Sequence, residues 1–256
     1  MIEAIGRSVV DGFQAARELR RVFTRTVSGA VRGRRVPGEV LKQMEQVGNR
    51  SLLFVAVTLG FLGMVLVFQI CMQVNRVTGD LSQVGAEFVK ILIHEFGPSL
   101  TAMMLATRVG AGIAAEIGSM VVTEQVDALR MCGVDPIDYL IVPRFLASVV
   151  MTTVLTIFGV VVALSLGALT AYSSFHVNPR IFFDADRLVW GDAVVGLAKS
   201  LAYGAAIPVV AGYCGLTARG GSEGVGAATT RAVIGASFAV IVLDFLLSGI
   251  GYFTIQ

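Results

Sequence analysis

The stretch SLLFVAVTLGFLGMVLVF, residues 51–68, decides the fold, because it lies within 25 consecutive uncharged residues between Arg50 and Arg76. A bilayer core is crossed by about 20 apolar residues rising 1.5 Å each, so this run is a transmembrane helix. Working outward, residues 145–179 hold no Asp, Glu, Lys or Arg over 35 positions, and residues 200–218 and 232–256 supply two more runs, the last broken only by Asp244. Residues 85–107 are apolar but carry Glu87, Lys90, His94 and Glu95. The reading is an all-α integral membrane protein with five spans, at about 51–73, 85–107, 145–172, 193–216 and 230–253.

Composition agrees. Charged residues make up 15% of the 256, where about 25% is usual in soluble domains, and 55% are hydrophobic. Cys71, Cys132 and Cys214 are far apart, without metal-ligand spacing, and read as small apolar fillers. A net charge of +2 gives no case for nucleic acid. With five spans the termini face opposite sides, and 15 Lys/Arg fall with the N-terminus against Arg76, Arg180 and Arg187 opposite. The positive-inside rule therefore predicts a cytoplasmic N-terminus and an outer C-terminus.

The first 50 residues form a region of their own, followed by a membrane domain over 51–256. They lack the cleavage pattern of a signal peptide. Ile2, Ile5, Val9, Phe13, Ala16, Val22, Phe23, Val27 and Val31 recur at mostly three- and four-residue intervals, with Arg7, Arg17, Arg20, Arg21 and Arg25 at other positions. That pattern predicts an amphipathic helix on the cytoplasmic membrane surface, the alternative being an arm packed on a partner.

Between the second and third spans, TEQVDALRMCGVDP (123–136) carries helix signals. Thr123 is placed to cap, Glu124 and Asp127 to lie in the first turn, Arg130 near the last, and Gly133 to end the helix, giving an element at about 123–132. Taken alone it could be an inert linker. Asp127-Ala128-Leu129, then Gly133, then Ile141-Val142-Pro143 resembles the cytoplasmic loop by which ABC importer permeases dock their ATPase. More closely, HEFGPSLTAMMLATRVGAGIAAEIGSMVVTEQVDALRMCGVDPIDYLIVPRFLA (94–147) is similar to the diagnostic core of the MlaE/YrbE family of ABC transporter permeases, and GVGAATTRAVIGASFAVIVLDF (224–245) to its second signature.

The resemblance implies a lipid-transport permease of the bacterial inner membrane, forming a dimer, binding two cytoplasmic ABC ATPase subunits and meeting an MCE-domain protein on the periplasmic side. Gram-negative relatives move phospholipid; actinobacterial relatives form permease heterodimers linked to sterol or fatty-acid uptake. It also implies that Glu124, Asp127, Leu129 and Arg130 make the ATPase contact through a coupling helix. ATP and magnesium belong to that ATPase, since GLTARGGSEGVG (215–226) lacks the lysine of a phosphate loop and this chain is expected to bind no cofactor. No HExxH or GxSxG motif supports an intramembrane enzyme, and a non-transporting scaffold is the remaining alternative.

Four features complete the reading. Gly159, Ala163, Gly167 and Ala171 repeat every four residues, a small-residue face for helix packing. In the family the first span helps line a lipid cavity, so Phe61, Met64, Leu66 and Phe68 are expected to contact either acyl chains or neighbouring helices. On a helical wheel at about 100° per residue, Glu87, Lys90, His94 and Glu95 share a sector of about 140°, which must face a cavity or another helix. Lys199, the lone cation of the fourth span, needs a partner, and Glu95 is expected to supply it; family members resemble this chain in carrying Glu and Lys here, with an Arg or similar polar group at the position of His94 and Pro98 behind it. Asp244 and Glu116 also need partners, for which Arg108 and Arg231 are candidates.

Overall fold

The computed structural model describes residues 2–32, 37–77, 84–178, 182 and 190–255. Among them every regular element is helical: α1 (Ile2–Arg32), α2 (Pro37–Val77), α3 (Val84–Ile91), α4 (Gly97–Leu105), α5 (Ala111–Val122), α6 (Gln125–Met131), α7 (Val142–Phe175), α8 (Trp190–Leu216) and α9 (Gly221–Ile255). π-helical turns at Leu92–Phe96 and Ala106–Gly110 join α3 to α4 and α4 to α5, and a third at Ile137–Ile141 leads into α7. Five stretches are long and apolar enough to cross a membrane: Gly38–Val77, Val84–Val122, Ile137–Phe175, Gly191–Leu216 and Gly221–Phe253. The chain is a multi-pass membrane protein.

The number of spans agrees with the charge-free runs, but the helices outrun them. The second span does not end near Thr107; it continues to Val122, so the segment expected as a loop after Arg108 is helix carrying Glu116. The third begins at Ile137, which puts Arg144 inside a helix. Lipid thickness limits how many residues must be apolar, whereas backbone hydrogen bonding continues until a breaker intervenes. Likewise α2 starts at Pro37 and passes Arg50 unbroken. Arg180 and Arg187, counted above on the outer side, lie outside the described residues, as do the side chains of 1–13.

Contacts divide the chain into two compact units, residues 1–43, 106–148 and 205–238 in one and 44–105, 149–204 and 239–256 in the other. In the second unit, one line of α2 meets one line of α7. Val55, Leu59, Val67 and Cys71 are fully buried on α2 at four-residue spacing, with Gly63 completing the series. The facing line is Gly159, Ala163, Gly167 and Ala171. A Cβ at Gly159 would press on Leu59 and Val55, one at Gly167 would sit 2.9 Å from Val67 Cγ2, and one at Gly63 would sit 2.9 Å from Ala163 Cα. Small residues thus let the backbones approach, as predicted for packing. Phe88, Leu92 and Phe182 extend this core.

In the first unit, α1 buries Val22, Thr26 and Ala30, while Phe23 and Val31, assigned above to its apolar face, are exposed. Beside this line Gly29 packs close to Asp138 and Val142: a Cβ there would come within 2.6 Å of Asp138 Oδ1. Ile141 lies against Gly212 and Ile117 against Gly215. Cys71 and Cys214 are buried as expected of fillers, but Cys132 is exposed, because the short helix that bears it packs inward mainly through Val126.

Gly63→Ala is expected to lower stability by about 1–3 kcal/mol through overpacking at the α2–α7 line. Gly226→Ala, on α9 with nothing within 4 Å of its added methyl, is expected to be neutral or to stabilise by up to about 1 kcal/mol. Thermal unfolding of the two purified variants in detergent checks both.

Candidate functional site: a buried ammonium among carboxylates

Pro98 starts the construction of the site. In an α-helix its amide would bond to the carbonyl of His94, but proline has no N–H and its ring crowds that carbonyl. A π turn precedes it, in which the Gly97 N–H reaches back five residues to the Leu92 carbonyl, and Pro98 offers the His94 carbonyl no donor. That carbonyl accepts a hydrogen bond from Lys199 Nζ of α8 at 3.0 Å.

Lys199 is 0% exposed. Its ammonium also lies 2.7 Å from Glu95 Oε2 and 3.1 Å from Asp244 Oδ1 of α9. An ammonium has three hydrogens, and here three acceptors meet it. Asp244 Oδ1 accepts in addition from Tyr203 Oη at 2.6 Å and Ser99 Oγ at 3.0 Å. Glu95 Oε1 accepts from Ser248 Oγ at 3.1 Å and lies 3.0 Å from His94 Nδ1. The carboxylates are partly open, at 40% for the Glu95 side chain and 30% for that of Asp244, so the charge set is closed at the lysine and open at the acids.

The structure therefore brings Glu95 and Lys199 together and adds Asp244, for which an arginine had been the sequence-based candidate. Glu116 pairs with Arg144, 2.8 Å away, whose Nη1 also donates to the Leu140 carbonyl. Glu87, Lys90, His94 and Glu95 line one open cavity of about 570 Å³. The π turn advances less per residue than the α wheel assumed, which turns Glu95 back towards Glu87 and His94 towards Lys90. The signal for this was Pro98, four residues beyond His94.

The other assigned residues are distributed as follows. Phe61 and Phe68 are exposed on α2, Met64 is half-buried, and Leu66 packs against the internal core because it shares the flank of the Val67 line. On the short helix between the second and third spans, Thr123 does not cap: its hydroxyl bonds back to the Ser119 carbonyl at 2.9 Å, and Glu124 stands before the helix in a left-handed conformation, φ 60°. The helix is Gln125–Met131. Asp127 and Arg130 are exposed and bonded to each other at 2.9 Å, and Leu129 is half-buried. The apolar side chain it projects is Met131, 90% exposed. Its end follows the sequence reading: Gly133 has φ 73°, its N–H bonds to the Arg130 carbonyl, and the Val134 N–H bonds to the Leu129 carbonyl. Pro136 opens the next helix behind Asp135, whose Oδ1 accepts from the Ile137 N–H at 2.9 Å.

Lys199→Ala leaves two carboxylates facing each other and is expected to cost about 2–3 kcal/mol, between exposed and fully buried pairs. Glu95→Ala leaves Lys199 with Asp244 and is expected to cost about 1 kcal/mol. The double variant is expected to be more stable than the sum of the singles implies; thermal unfolding of all three measures the coupling.

Residues 40–250 match the family described as Permease MlaE. A probable ABC transporter permease protein of Synechocystis sp. is 38% identical over 231 residues, which is 89% of this chain and 86% of that protein. The chloroplastic TRIGALACTOSYLDIACYLGLYCEROL 1 protein of Arabidopsis thaliana is 35% identical over 231 residues, 89% of this chain and 64% of its own length. The intermembrane phospholipid transport system permease protein MlaE of Haemophilus influenzae is 32% identical over 252 residues, 97% of this chain and 96% of that protein. The matched residues take in the α2–α7 packing line, all members of the Lys199 charge set and α6. The chain belongs to the MlaE family of ABC transporter permeases.

Proposed function

We propose that the chain is the membrane subunit of an ATP-driven phospholipid transporter in the bacterial inner membrane. The observation that carries the reading is the near-complete match, over 97% of the chain, to a permease of intermembrane phospholipid transport. Two ABC ATPase subunits hydrolyse ATP and magnesium is bound there, not in this chain. A second permease copy completes the transporter, and an MCE-domain protein exchanges lipid with it on the periplasmic side. The excess of Lys/Arg with the N-terminus supports a cytoplasmic N-terminus and a periplasmic C-terminus, with α1 lying along the cytoplasmic headgroups.

Energy enters through α6. A short helix between two spans, held at its end by paired backbone hydrogen bonds, presents Glu124, Asp127, Arg130 and Met131 outward. Met131 is the apolar knob for a groove on the ATPase, and the charges set its orientation. Phe61 and Phe68 give α2 an apolar face suited to acyl chains, with Met64 beside it. The Glu95–Lys199–Asp244 set fixes the second, fourth and fifth spans in one arrangement. A transporter that changes shape must carry these charges together, since separating them would strand an ammonium in an apolar interior.

Reconstituting the permease with its ATPase and MCE partners tests the reading. Lipid-stimulated ATP hydrolysis and ATP-dependent transfer of phospholipid to the MCE protein are expected; hydrolysis that ignores lipid and moves none overturns it. The Asp127→Ala, Arg130→Ala double variant is expected to fold normally, because an exposed i, i+3 pair contributes under about 0.5 kcal/mol, and to lose about tenfold or more in lipid transfer per ATP. Labelling of a cysteine placed near the C-terminus is expected from the periplasmic side only.

A further inference from the structure

The C-terminal half of α1 has three distinct faces. Taking Arg17 as zero and advancing about 100° per residue, the buried Val22, Thr26 and Ala30 fall between about 140° and 220°. Phe23, Val27 and Val31 follow, four residues apart, between about 240° and 320°. Phe23 is 43% and Val31 80% exposed, with Val27 half-buried between them. Arg17, Arg21, Arg25 and Arg32, all exposed, occupy the next sector, from zero to about 80°. One face is thus packed on the protein, and an open apolar strip beside it gives way to a cationic one.

The charges on the cationic face are largely of one sign. Residues 17–32 hold five arginines and one acid, Glu18, whose carboxylate accepts from the Tyr213 hydroxyl of α8 at 3.2 Å. Arg25 faces Asp135 at 3.8 Å, with both side chains open to solvent. Thr24 and Ser28 turn their hydroxyls back to the Arg21 and Arg25 carbonyls, so the guanidiniums are the groups this face offers. Their planar forks suit the oxygens of a phosphate. An acidic protein would match the charge, but the adjoining strip of Phe23 and Val31 favours a bilayer surface. There the strip enters the acyl boundary while the guanidiniums stay among headgroups; Arg20, at about 300° within the strip, lays its stem along the same boundary. Net charge then selects among lipids. A zwitterionic headgroup brings its own ammonium into the positive field, whereas an acidic one leaves its phosphate unbalanced.

We propose that α1 is a binding surface for acidic phospholipid of the cytoplasmic leaflet, with Arg17, Arg21 and Arg32 holding headgroup phosphates and Phe23, Val27 and Val31 seated at the acyl boundary. Arg25 contributes less, because Asp135 competes for it. The inference deepens the reading that lays α1 along the cytoplasmic headgroups and rests on it.

Quenching reads the lipid that lies against α1 itself. Phe23→Trp, combined with Trp190→Phe so that no other tryptophan is present, is made in the full-length permease. The protein is placed in phosphatidylcholine nanodiscs with a small fraction of phosphatidylglycerol or phosphatidylcholine carrying a nitroxide high on the acyl chain. Labelled phosphatidylglycerol is expected to be favoured by at least about fivefold, the contribution of one arginine near an acidic surface. In about 1 M salt, and in the triple variant Arg17→Gln, Arg21→Gln, Arg32→Gln, the ratio is expected to fall below about twofold. Arg25→Gln alone is expected to lower it less than any of those three made singly. Equal quenching by the two lipids in the parent overturns the proposal, as does a preference that survives the triple variant. Should the triple variant fail to assemble, the salt series on the parent decides, and a preference that salt leaves unchanged overturns it. Quenching by neither lipid also overturns it, and loss of ATPase binding in the triple variant would then assign the arginines to a protein partner. ATP-dependent lipid transfer with equal quenching would sink this inference and leave the transport reading standing; selective quenching without transfer would do the reverse.

Discussion

A single missing hydrogen organises the polar interior of this protein. Pro98 cannot donate to His94, a π turn stands before it in the second span, and the His94 carbonyl is one of three acceptors around Lys199. Glu95 and Asp244 supply the others from two different spans. An ammonium with no solvent exposure is tolerable in an apolar setting only when each of its hydrogens is received, and here the count closes. Tyr203 and Ser99 donate to the same Asp244 oxygen that faces the lysine, and Ser248 donates to the Glu95 oxygen that the lysine leaves over. The π turn and the buried charge thus meet at one carbonyl.

The apolar framework follows a different rule. Water is absent from the bilayer core, so helices gain little from hiding leucines from one another, and close backbone approach decides which faces meet. The α2 line of Val55, Leu59, Gly63, Val67 and Cys71 against Gly159, Ala163, Gly167 and Ala171 meets this requirement with Val55, Leu59 and Val67 facing glycines and with Gly63 facing Ala163. The opposite face of α2, with Phe54, Val57, Phe61, Val65 and Phe68 exposed, is left free of that packing.

How much of this could be read from the chain depends on whether the controlling feature is local. The five spans are local, since a run of uncharged residues is visible without knowing its neighbours. So is the glycine stop at Gly133, whose left-handed backbone needs no tertiary help. Lys199 and Glu95 were legible as partners because isolated intramembrane charges must find each other and a family resemblance gave the positions. Asp244 was not, because nothing in spacing says which of several distant cations it meets. The extension of the second span to Val122 and the burial of Arg144 were missed for a related reason: a charged residue looks like a boundary in sequence, yet Glu116 at 2.8 Å makes Arg144 an interior group. The start of α6 failed differently. Thr123 has the chemistry of a cap, but its hydroxyl is taken by the preceding helix.

The four-residue repeat shared by α2 and α7 also limits the freedom of these two helices. Rolling either one about its own axis lifts every close contact at once, because all of them lie on a single line. Sliding by less than a turn drives a large side chain against a ridge, whereas a displacement of four residues, about 6 Å, brings each large residue opposite another small one. The interface is therefore stiff to rotation and indexed in translation, so that any rearrangement along it proceeds in whole steps.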